Sequence, residues 1–290
     1  MPLILGLVAG ILYAISAVLC KRGLELGAGT IRSLIFSNIV MSLCFLPYPI
    51  LSSQGISTYD IQTGLSLGLL FFLGQFFCFW ALKNGDASLI TPIMGSKPIF
   101  VAIFLLSHGM TAGEVPWITW VASILAAFAI GLIGWPSRHH LISLRGLFLA
   151  IATAATFGLL DSLVPHFTHQ SNPLNLLFIL FGSVGLFSLF LVPYAEGKFF
   201  KYRKIADQWM WASAIFMGGQ ALVMSMAVGF YQVPTEVNIF YAGRGLWAVI
   251  LIAWLGKKIG IEESSAPTQV LARRAVGAFL LIIGICLTAW

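Results

Sequence analysis

Apolar runs of about twenty residues, the length that crosses a bilayer as a helix, recur ten times along the chain between short polar joints. They fall near residues 2–20, 31–51, 62–82, 87–107, 116–135, 145–166, 173–194, 208–229, 234–255 and 271–290, and the longest joints lie around 195–207 and 256–270. Lipid has no partner for an open sheet edge, so such runs are expected to be helices. The pattern predicts an all-α polytopic membrane protein with ten transmembrane helices. Small-residue spacings such as Gly6/Gly10 and Gly64/Gly68 are expected to bring helix backbones close together.

Composition agrees with the pattern. The chain is 59% hydrophobic and 9% charged, where soluble domains carry about 25% charged residues. The net charge of +6 does not indicate nucleic acid, because the basic residues sit in short clusters between apolar runs rather than along one face. Cys20, Cys44, Cys78 and Cys286 show neither metal spacing nor a disulfide framework. The first segment lacks a basic leader and a cleavage site, and is expected to be a retained span rather than a removed signal peptide.

The two halves echo one another. SLCFLPY (42–48) answers SLFLVPY (188–194), and Gly74-Gln75 answers Gly219-Gln220. GSKPIFVAIFLLSHG (95–109) lies against AGRGLWAVILIAWLG (242–256), which sets Lys97 opposite Arg244, and Trp135 ends its half as Trp290 does. The expected units are 1–138 and 143–290, each with five helices. Five is odd, so the second unit must be inverted in the membrane, an arrangement typical of secondary transporters. Of the 16 Lys and Arg residues, all but Lys97 and Arg244 fall in or beside the first, third, fifth, seventh and ninth joints. The positive-inside rule then places those joints in the cytoplasm and both termini outside it.

This plan resembles the drug/metabolite transporter superfamily, in its EamA-like branch. The resemblance covers nearly the whole chain. It is carried by the five-plus-five pattern, by ALKNGDASLITPIMGSKPIFVAIF (81–104), and by Arg32 at the start of the second run. It implies a ten-helix carrier working by alternating access around a central cavity, with the fifth and tenth helices at the periphery. The second joint, LSSQGISTYD, lacks the basic residues of many relatives, and His108 stands where many carry Glu.

The candidate chemistry is intramembrane. A charge at the bilayer centre costs roughly 2.5–3.5 kcal/mol on insertion scales, so Lys97 and Arg244, each midway along an apolar run, need a partner or a use. Pro92 and Pro98 flank Lys97, and Gly243 and Gly245 bracket Arg244, so both helices are expected to be distorted there. The expected role is to grip an anionic group, the Arg as a planar fork and the Lys as a point charge. The alternative is that each pairs with an acid and braces the bundle. Glu236 and Asp161 are the candidate counter-ions or proton carriers. Gln75, Gln220 and Asn38 must find hydrogen-bond partners, either solute or neighbouring helix. Tyr241 and Trp247 lie three residues either side of Arg244 and, with Tyr13, are expected to wall a cavity.

The histidines His166, His169, His139 and His140 lack a third metal ligand at suitable spacing. No GxxxxGK[ST], HExxH or GxSxG motif occurs. No cofactor and no enzymatic activity are expected. The expected partners are the bilayer and a small-molecule solute, with proton or exchange coupling, in a monomer or homodimer. The leading expectation is a secondary carrier for a small polar metabolite with an anionic group. The alternatives are a lipid-linked phosphate flippase, an exporter of drugs or cations, and a non-transport scaffold.

Overall fold

The computed structural model describes residues 2–84, 93–107, 116–134, 144–196, 199, 202, 204–244, 247, 250–251, 254, 258–259 and 268–289. The expected boundary between 138 and 143 lies outside the described residues, as do Pro92, His108, Trp135, His139, His140, Gly245 and Trp290.

The described residues form helices and no strand. In chain order they are α1 (Pro2–Glu25), α2 (Thr30–Cys44), α3 (Tyr48–Leu51), α4 (Thr58–Asn84), α5 (Lys97–Ser107), α6 (Trp117–Gly134), α7 (Leu144–Gln170), α8 (Pro173–Ser188), α9 (Lys204–Tyr231), α10 (Pro234–Ala242) and α11 (Thr268–Ala289). A six-residue 3₁₀ turn, Leu189–Tyr194, extends α8. Among the described residues, six segments are long and apolar enough to cross a membrane: Pro2–Glu25, Thr30–Leu51, Thr58–Cys78, Leu144–Gln170, Pro173–Tyr194 and Ile205–Tyr231. This is an integral, multi-pass membrane architecture.

Local chemistry sets several helix ends. Apolar length predicts a single helix over the second run, but the helix breaks between Cys44 and Tyr48, because Pro47 lacks the amide a continuing helix would use. The matching run loses α geometry at the same motif and tightens into the 3₁₀ turn that contains Pro193. Helix α4 starts four residues before the expected point. There the Ser57 hydroxyl accepts from the Asp60 amide at 3.0 Å and the Asp60 carboxylate accepts from the Ser57 amide at 2.7 Å, a reciprocal cap. Asn172 caps α8 by accepting from the Leu174 amide at 3.0 Å, with Pro173 in the first turn.

Helix α1 packs along α9, and α7 along α4. Helix α2 packs on α9 and α8, and α4 also packs on α8; α5 rests on α7, α10 on α1, and α6 on α11. Glycines make these approaches close. A Cβ at Gly68 would stand 2.7 Å from the Leu180 carbonyl of α8, and one at Gly6 would stand 2.7 Å from the Val237 carbonyl of α10. The expected role of both spacings is therefore met in the packing. Ser16 and Ser213 exchange hydrogen bonds to each other's carbonyls at 2.8 and 2.9 Å, pinning α1 to α9. An aromatic core joins α2 and α8, where Phe45 and Phe181 stack with centroids 4.1 Å apart.

Candidate functional site

Two helices are interrupted immediately before a cation. Residues 93–94 are helical, Gly95 and Ser96 form a turn, and α5 then opens with Lys97. Helix α10 ends at Ala242, Gly243 forms a turn, and Arg244 follows. Ser96 secures the first break, its hydroxyl donating to the Ile93 carbonyl at 2.6 Å. Gly95 fits there because it has no side chain: a Cβ would lie 2.6 Å from Ile130 of α6.

The two cations meet different partners. Lys97 Nζ is 2.6 Å from Asp161 Oδ2 of α7, and the side chains keep only 15% and 11% of their exposure. Asn238 Nδ2 donates to the same Asp161 oxygen at 2.7 Å and to the Pro234 carbonyl at 2.8 Å. Asn238 Oδ1 is buried with no hydrogen-bond partner among the described residues. Arg244 has no carboxylate partner among the described residues. Its guanidinium carbon sits 4.6 Å from the Tyr13 ring centroid and 4.5 Å from that of Tyr241, held by cation–π contacts. The two rings meet edge to face, 5.9 Å apart.

The cations are neighbours. Lys97 Nζ lies 5.9 Å from the Tyr241 centroid and 5.8 Å from that of Phe157, so Lys97 and Arg244 share the Tyr241 ring. Both line one cleft together with Met94, Gly95, Pro98, Ile130, Asn238 and Ala242. Its free volume is about 10 Å³, room for one water molecule.

The remaining candidates do not line this cleft. Asn38 and Gln75 pair through both amides, Nδ2 to Oε1 at 2.9 Å and Nε2 to Oδ1 at 3.1 Å, tying α2 to α4. Gln220 is buried in α9, with no side-chain hydrogen bond among the described residues. Glu236 is half-buried in the first turn of α10 and joins no ion pair among the described residues. The Trp247 amide donates to the Gly243 carbonyl at 3.1 Å, and its indole makes no ring contact among the described residues. His166 bonds the Gln170 side chain at 3.1 Å, and no metal-ligating cluster occurs among the described residues.

Sequence reasoning passed over Asn238 and Phe157. Asn238 could have been found from its place three residues before Tyr241 and six before Arg244, on the same helical run. Phe157 carried no signal in a chain with 23 phenylalanines.

Residues 1–135 match the model of the EamA-like transporter family. No curated protein matches the chain. A solved crystal structure, described only as that of a protein, superposes with a TM-score of 0.76 and covers 99% of this chain and 95% of its own, at 13% identity. At that identity the likeness shows the fold alone. The family match over residues 1–135 is consistent with the drug/metabolite transporter superfamily.

Proposed function

We propose that the protein is a secondary carrier that moves a small polar metabolite with an anionic group across the plasma membrane by alternating access. The observation that carries this reading is Arg244, a half-buried cation clasped by two tyrosine rings and left without a carboxylate among the described residues. A cation so placed is costly unless something neutralises it, and a solute carboxylate or phosphate would do so through the planar guanidinium.

The proposed frame is ten helices in two inverted units, 1–138 and 143–290. The packing supports it, because the most extensive contacts have counterparts when the halves are exchanged. The α1–α9 contact answers α7–α4, α4–α8 answers α9–α2, and α5–α7 answers α10–α1. The two interrupted helices answer each other as well. The Lys and Arg distribution supports termini outside the cytoplasm.

A thermal-shift screen of purified protein against amino acids, organic acids and sugar phosphates tests the reading. Ligand that binds only the folded state raises apparent stability by mass action. The expected result is a hit that disappears in Arg244→Gln. A hit that persists in Arg244→Gln, or no hit in the whole panel, overturns it.

A second reading, a membrane scaffold with a braced centre, draws on the Lys97–Asp161 contact and the small void beside it. It predicts no anion effect on stability.

A further inference from the structure

We infer that the site accepts a solute carrying one net negative charge, and that the residues Asp161 and Ala17 set that number. The inference rests on the anion-carrier reading above.

Tyr13 on α1 and Phe157 on α7 hold corresponding places. Each presents its ring to the cation that follows the break in the helix packed against it: Arg244 at 4.6 Å over Tyr13, Lys97 at 5.8 Å over Phe157. One helical turn further on, four residues in each case, the helices part company. Helix α7 carries Asp161, which takes Lys97 at 2.6 Å. Helix α1 carries Ala17, half-buried and without a charge. One half therefore answers its cation with a carboxylate, and the other answers with a methyl group.

The charge balance follows. Lys97 and Asp161 cancel, and Arg244 leaves the cluster at one positive charge. Net charge in a desolvated site is expensive. A monoanion brings the cluster to neutrality. A dianion leaves it negative, and a zwitterion leaves it positive. Discrimination between them needs no further contact, because the desolvation cost of the residual charge supplies it.

The test uses the full chain in lipid nanodiscs and thermal shift at neutral pH, with three small hydroxy- or amino-acid probes: lactate, malate and alanine. In the native protein, lactate should stabilise most. Asp161→Asn keeps the shape and frees Lys97, so preference should move to malate by about tenfold or more in apparent Kd, a 1.4 kcal/mol change. Ala17→Asp places a carboxylate near Arg244 and should weaken lactate by a similar factor. It also tests the inference independently should Asp161→Asn fail to fold. Malate binding tightest to the native protein would overturn the charge count. So would an unchanged ranking in both variants while Arg244→Gln abolishes binding, and that outcome would leave the anion-carrier reading standing. If no probe shifts the native protein and Arg244→Gln behaves identically, the carrier reading falls and the inference falls with it.

Discussion

Arg32 and Asp207 form a two-point ion pair that fastens the start of α2 to the start of α9. Arg32 Nη2 donates to Asp207 Oδ2 at 2.9 Å while Nη1 donates to Oδ1, and the side chains retain only 3% and 1% of their exposure. The Arg32 Nε donates to the Phe199 carbonyl at 2.9 Å. Glu196 accepts from the Ile31 amide at 3.0 Å and so caps the same helix. One end of the bundle is thus a closed polar network.

Breaking that pair from one side strands a buried charge. Asp207→Ala or Arg32→Ala should each destabilise the protein by ~3–5 kcal/mol. Arg32→Met combined with Asp207→Leu should cost less than either single change. Melting midpoints at a fixed scan rate in one detergent check this, and equal losses in all three variants would contradict it.

The amide pair Asn38–Gln75 behaves by the same logic with neutral groups. Asn38→Leu leaves the Gln75 amide unmatched and should cost about 1–3 kcal/mol. Adding Gln75→Leu should restore part of the loss, giving a coupling energy in a double-mutant cycle. If Asn38→Leu is silent, Gln75 has found another partner.

Gly68 tests the close approach of α4 to α8. Its added methyl would meet the Leu180 carbonyl at 2.7 Å, and a backbone atom cannot turn aside as a flexible side chain can. Gly68→Ala should lower stability by about 1–3 kcal/mol. Gly55, where an added Cβ would meet nothing within 4 Å, should accept alanine without loss. The pair of melting curves decides the matter.

The setting of Arg244 calls for a plane rather than a point charge. Arg244→Lys keeps the charge but loses the stacking surface between Tyr13 and Tyr241. It should reduce stability by ~0.5–2 kcal/mol, and the reduction should shrink when Tyr13 is already Leu. A loss of the same size in both backgrounds would show that Tyr13 does not clasp the guanidinium.

Much of this was legible in the chain because lipid makes the rules severe. Apolar length alone located the six segments long enough to cross a membrane, and charge inside apolar runs singled out Lys97 and Arg244. The opposition of these two residues, read from the weak likeness of 95–109 to 242–256, places each just after a helix break. The choice of partners was not legible. Nothing in a linear pattern says that Asp161 rather than Glu236 takes a cation, because that depends on which face of α7 turns toward α5. Nor does it say that Gln75 is matched by Asn38 while Gln220 has no side-chain hydrogen bond among the described residues. The breaks that create α3 and the 3₁₀ turn were unreadable from apolar length as well, although Pro47 and Pro193 carried the information.

The free space beside the two cations is about 10 Å³. Among the described residues this cleft holds about one water molecule, so under the carrier proposal a larger solute has to wedge these helices apart before it can lodge. If the proposed carrier function holds, each crossing requires repacking Tyr13, Tyr241 and Arg244, and throughput should track how fast those side chains rearrange.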